Sequence, residues 1–196
     1  MTRTFALRLL ASLAGPRRLT LLVVLAIVVT SLGVLAVPRN ALGWGEDTFS
    51  AGSEALLIAM QDRVRATAGP GSLEQDAALR AIARWRSRDM VERDYFSHTI
   101  KGTDRRVFWY MENEFGYCFE VAGENIGTVT WRGASEEDAT KWVFDQFMNS
   151  SGHRANIMGT AWDTVAVGAY KATGDTFVWT VLFADRCGAS QLHASP

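Results

Sequence analysis

From Leu19 to Val37 the chain is apolar without a single charge, reading LTLLVVLAIVVTSLGVLAV, and only afterwards do its hydrophobic residues become spaced. A helix of that length spans about 28 Å, close to the ~30 Å hydrocarbon thickness of a bilayer, and it has no polar stripe to face water. The next pattern is weaker. Ala55, Ile58, Ala59 and Val64 predict a helix over 53–66 with Ser53 as N-cap, broken by Ala68-Gly69-Pro70-Gly71. A stronger stripe follows in Leu73, Ala77, Leu79, Ala81, Ile82, Trp85, Met90 and Val91. It predicts a helix capped by Ser72 and ending near Arg93. Between these positions lie Glu74, Asp76, Arg80, Arg84, Arg86, Arg88 and Glu92, which read as its solvated face.

Val107, Phe108, Met111 and Phe115 predict a short helix over 103–115, stopped by Gly116. Ser135, followed by Glu136, Glu137 and Asp138, opens another helix to about Met148 with Ala139, Val143 and Phe147 inward. Acids there suit the positive helix end. The period then changes. Residues 164–170 and 176–183 are β-branched and aromatic, and Lys171-Ala172-Thr173-Gly174-Asp175 between them has turn composition, so they read as an antiparallel hairpin. A short strand over 120–129 joins it. Helices first and a hairpin last around one core make an α+β domain. It is placed at 53–187, after a Gly-containing linker at 38–52 and before a small, polar, frayed tail at 188–196 that includes His193.

Charge and composition narrow the setting. A net charge of -1 and a pI near 6.3 leave no basic face for nucleic acid. Seven Trp and ten Phe point to an aromatic core. Arg3, Arg8, Arg17 and Arg18 make residues 1–18 a basic cytosolic leader by the positive-inside rule. Residues 19–37 then form a transmembrane anchor or, with Val34-Leu35-Ala36 near a cleavage point, a signal segment. Both outcomes put the domain outside the cytosol, membrane-anchored or secreted. In that compartment the two cysteines, Cys118 and Cys187, pair as a disulfide.

Candidate chemistry lies in three places: Tyr95-Phe96-Ser97-His98, Ala122-Gly123-Glu124-Asn125-Ile126, and Asn149-Ser150-Ser151-Gly152-His153-Arg154-Ala155-Asn156-Ile157. Two imidazoles and a carboxylate share protons or hold a divalent cation such as zinc. Ser150 or Ser151 reads as the cap of a short helix whose first turn holds His153, a setting that favours neutral imidazole. Arg154 and Asn156 read as structural, Arg154 paired with an acid such as Asp163 and Asn156 tying the loop back.

In that order the three segments resemble the CAP superfamily (cysteine-rich secretory proteins, antigen 5, plant pathogenesis-related-1), specifically its bacterial SCP-domain branch. The resemblance covers about 53–185. It implies an α-β-α sandwich, a small antiparallel sheet flanked by helices, with His98, Glu124 and His153 in one cleft. Ser151 stands where the family usually has Pro. Many eukaryotic relatives carry a fourth, acidic cleft residue, whose position falls at Ser150 here if Phe147 takes the place of the family's tryptophan, while Asp145 is the nearest acid in a different register. Asn125 is a further accessory candidate. The resulting reading is a non-enzymatic cleft binding a metal ion, lipid, glycan or peptide at or outside the cell surface. The alternative is an extracellular hydrolase of peptidase or esterase type. There His98 or His153 acts as general base, Glu124 orients it, and Ser150 or Ser151 is the nucleophile. The chain lacks the Gly-x-Ser-x-Gly and His-Glu-x-x-His motifs.

Overall fold

A computed structural model describes residues 44–188, so the leader, the apolar segment at 19–37 and the tail after Gly188 lie outside the described residues. Among the described residues no helix is long and apolar enough to cross a membrane. The elements run β1 (Thr48–Phe49), α1 (Ala51–Ala68), β2 (Glu74–Gln75), α2 (Ala77–Glu92), α3 (Val107–Asn113), β3 (Phe119–Thr130), α4 (Glu136–Asn149), α5 (Ser151–Met158), β4 (Thr164–Ala172) and β5 (Thr176–Arg186). The β4–β5 hairpin is the centre of the sheet, in the order β1-β4-β5-β3. These four strands pair antiparallel, and β2 adds a short parallel pairing to β4.

Alternation along the two long central strands sorts the core into two layers. Val165, Val167, Phe177, Trp179, Val181 and Phe183 meet α1, α4 and α5 through Leu57, Ile58, Val143, Phe147 and Ile157. Their neighbours Ala166, Leu182 and Ala184 meet α2 and α3 through Leu79, Ile82, Val107 and Met111. Helices therefore cover both faces, and β3 is left as an edge strand.

Residues 44–52, expected as linker, belong to the domain. Trp44 is buried against Phe177 and Trp179, and β1 pairs with β4. Two caps also move. Ser50, not Ser53, caps α1 by accepting the Ser53 N–H, while the buried Ser53 hydroxyl bonds Thr140 and Trp179. Asp76, not Ser72, caps α2. Ser135 caps α4 as the sequence predicts, accepting the Asp138 N–H at 3.0 Å. Cys118 and Cys187 form the disulfide, with Cα atoms 5.4 Å apart, across the end of the β3–β5 ladder.

Candidate functional site

Strand periodicity at β3 sends Glu124 and Asn125 to opposite faces of the sheet. Glu124 enters the α2 layer. Its carboxylate is almost wholly buried, with Oε1 accepting from Arg86 Nε at 3.0 Å and Oε2 lying 2.6 Å from His98 Nδ1. Asn125 points the other way, where its amide donates to the His153 carbonyl at 3.0 Å. Asn156, on α5, donates to the Glu124 carbonyl and to Asn125 Oδ1. An edge-strand carbonyl is thus covered by a side-chain amide, which leaves it unavailable to an added strand. The site wraps around this edge, His98 arriving from the α2 side and His153 from α5.

His98 sits on the loop after α2, with its side chain 45% exposed. His153 lies in the first turn of α5 and meets Phe147 edge-on at 5.1 Å. Burial, and secondarily the nearby charge of His98, hold its pKa below the ordinary histidine value. The neutral form is favoured, as the sequence predicts, with desolvation as the leading cause. Among the described residues no protein hydrogen bond engages His98 Nε2 or either ring nitrogen of His153.

Four sequence expectations bear on these residues. Both oxygens of Glu124, expected as a metal ligand, are engaged within the protein, Oε1 by Arg86 and Oε2 by His98. Among the described residues no three His, Cys, Asp or Glu side chains are arranged to hold a metal ion. Glu124 orients the His98 ring through Nδ1. Asp145 is exposed on α4 and bonds to none of the cleft residues. Ser150 occupies the cap position of α5 without a side-chain capping bond, and neither Ser150 nor Ser151 bonds an imidazole among the described residues. Arg154 is exposed, and Asp163 instead accepts from the Arg186 N–H.

The residue that sequence reasoning missed is Arg86. Assigned to the solvated face, it is fully buried. Its guanidinium donates to Glu124, to the Tyr95 hydroxyl at 2.8 Å and to the Ser97 carbonyl, and Asp89 Oδ2 lies 3.9 Å away. Tyr95 in turn donates to Asp89, and burial is the first cause that raises its pKa to about 12. The signal was present: Arg86 continues the spacing of Leu79, Ile82, Ala83 and Met90, so it lies on the apolar stripe. A second buried arginine, Arg65, fixes the other half of the cleft. It donates to the Ile157 and Gly159 carbonyls at the end of α5, at 2.8 and 2.7 Å. Beside the His98 loop, a groove of about 330 Å³ is lined by Met90, Val91, Tyr95, Phe96, Thr128 and Val178.

Helices on both faces of a small sheet, with a His-Glu pair and a second histidine at its edge, define a class of small α+β domains. The sequence model of the CAP family, described as the cysteine-rich secretory protein family, matches residues 58–183, and the chain belongs to that family. It is similar to the Bacillus subtilis protein YkwD, 32% identical over 130 residues that make up 66% of this chain. The match covers 46% of YkwD, so the chain spans about half the length of that curated relative. Among solved structures it resembles an outer surface protein of Borrelia burgdorferi, with a TM-score of 0.59 and 20% identity over 74% of this chain and 99% of that one. It also resembles an extracellular SCP-domain protein of Bacillus anthracis, with a TM-score of 0.55 and 22% identity over 69% of this chain and 41% of that one. A third neighbour is NaASP2, solved with Zn2+, with a TM-score of 0.50 and 11% identity over 73% and 84% of the two chains.

Proposed function

We propose that this is an extracytoplasmic binding module, held at the membrane by residues 19–37, whose cleft takes a ligand through His98 and His153. The observation that carries this reading is the pairing of the half-exposed His98 with Glu124 through Nδ1, together with a His153 whose pKa is lowered by burial and by His98. Neutral imidazole nitrogens bind divalent cations or accept hydrogen bonds from a polar ligand. Zinc is the first cation to test, since the fold neighbour NaASP2 was solved with Zn2+. The groove beside Phe96, where Met90, Val91 and Val178 lie with Asp94, Thr128 and Thr176, offers mixed apolar and polar contact to a lipid, glycan or peptide. The extracellular and outer-surface neighbours support the location.

The same His98–Glu124 pair favours a second reading, because a carboxylate-oriented imidazole is also a general base for water. Among the described residues no serine hydroxyl bonds either imidazole, and that of the adjacent Ser97 accepts from the Thr99 N–H, which favours binding over acyl transfer. Zinc titration of the full chain in detergent, by calorimetry, tests the proposal. The expected result is one site per chain, lost in His98→Ala and in His153→Ala and kept in His193→Ala. Peptide and ester hydrolysis by the wild type, absent from the first two variants, replaces the binding reading with the hydrolase. Zinc uptake unchanged in both cleft variants removes the two-histidine cation site.

A further inference from the structure

A single guanidinium joins every segment that positions His98. Arg86 Nε meets Glu124 on β3, one terminal nitrogen meets the Tyr95 hydroxyl, and the other meets the Ser97 carbonyl, next to His98 itself. Tyr95 is returned to Asp89 on α2, and the guanidinium has no exposure to water. These groups fix direction as well as distance. Every Arg86 nitrogen is a donor only, so whichever Glu124 oxygen faces Arg86 must accept. The other oxygen is then aimed at His98 Nδ1, which must carry the proton if imidazole is neutral.

We propose that Arg86 is the positioning residue of the cleft: by taking one end of the Glu124 side chain it holds the other end against His98 Nδ1, so that the carboxylate keeps the proton on Nδ1 and Nε2 is the lone-pair nitrogen offered to the ligand. This rests on the reading of the cleft as a ligand site through imidazole nitrogens, but its test needs no ligand. A lysine does not substitute, since one ammonium cannot hold three acceptors in a guanidinium's planar fork.

The test uses Glu124→Gln. The two ends of the glutamine amide differ, one accepting and one donating. If Arg86 dictates orientation, the amide oxygen faces Arg86 and the NH2 faces His98 Nδ1. His98 Nδ1 then becomes an acceptor and the proton moves to Nε2. With three histidines in the chain, histidine-selective 15N labelling of the full protein in detergent resolves each ring. Spectra are taken at about pH 8.5, above the ordinary histidine pKa of about 6.5. The expected result is the Nδ1–H form of His98 in the wild type and the Nε2–H form in Glu124→Gln. Arg86→Lys alone is expected to keep the Nδ1–H form, because either oxygen of an ionised Glu124 accepts; combined with Glu124→Gln it is expected to give a mixture of both forms while the protein remains folded. Persistence of Nδ1–H in Glu124→Gln, or an unmixed Nε2–H form in the folded double variant, overturns the proposal. Either outcome leaves the zinc titration to be judged by itself. Conversely, the tautomer switch with no zinc uptake supports Arg86 as a positioning residue and removes only the cation.

Discussion

Tyr95 accepts from Arg86 and donates to Asp89, so removing its hydroxyl strands two buried partners at once. Tyr95→Phe is therefore expected to destabilise the domain by about 1–3 kcal/mol, the usual cost of an unsatisfied buried group, read from the denaturant midpoint. An unchanged midpoint would show that the bond is not formed. Its pKa of about 12 also fixes a pH window. Below about pH 10 both folded and unfolded chains keep the phenol protonated, and the contribution is complete. As pH rises past that value the unfolded chain releases the proton first, so stability falls until the folded phenol ionises near 12. In Tyr95→Phe that share of the alkaline loss disappears, together with the latest step in the phenolate absorbance titration. At this scale the sequence disclosed chemical type but not company. His98, Glu124 and His153 stood out as scarce groups in glycine- and asparagine-containing segments. Arg86 was hidden because its neighbours Arg84 and Arg88 share its type, and only its phase on the apolar stripe separates it from them.

Close approach of elements decides where α2, and with it Arg86, can sit. Gly168 on β4 faces this helix, and a Cβ there would lie 2.3 Å from the Ala83 carbonyl carbon and from the Arg84 nitrogen. Backbone cannot move aside as a side-chain end can. Gly168→Ala is expected to destabilise by about 1–3 kcal/mol or more, as overpacking does. Combined with Glu124→Gln it should also blur the His98 tautomer, because Ala83 and Arg86 lie within one turn of each other. Gly152→Ala is the control, since its Cβ meets open space and the shift should stay within about 0.5 kcal/mol. Equal shifts in the two variants would rule out the contact as the cause. Periodicity located the helices and the three long strands, because each is long enough to repeat its pattern. It missed β1 and β2, which have two residues each and carry no period at all. The caps were misplaced for a related reason: Ser50 and Ser53, or Ser72 and Asp76, are all competent oxygens, and tertiary packing chooses among them.

Across the described domain, the two layers explain how His98 reaches Glu124 and how His153 is tied to the neighbouring Asn125, although no local pattern links them. The β4–β5 hairpin supplies a two-faced platform, and β3 is registered on β5 from Phe119↔Arg186 to Thr130↔Thr176. That register puts Glu124 opposite Leu182 and in the α2 layer, an outcome that hydrophobic alternation alone could not reveal in a strand reading Gly-Glu-Asn-Ile-Gly. The family resemblance carried that long-range information instead. The disulfide closes the same ladder at its far end, where Cys118 immediately precedes Phe119. Its sequence separation of 69 corresponds to a contribution of about 4 kcal/mol on the chain-entropy account, all of it through the unfolded chain. Glu124 is meanwhile held by Arg86, His98 and the β5 ladder, none of which depends on the sulfur bridge. Cys118→Ser with Cys187→Ser is thus expected to lower unfolding stability by roughly that amount. Under conditions where the variant is still folded, the His98 tautomer should be unchanged. A tautomer change in the folded double variant would mean that strand register near Glu124 is set by the disulfide, and that the sheet and its edge site are not independently stable.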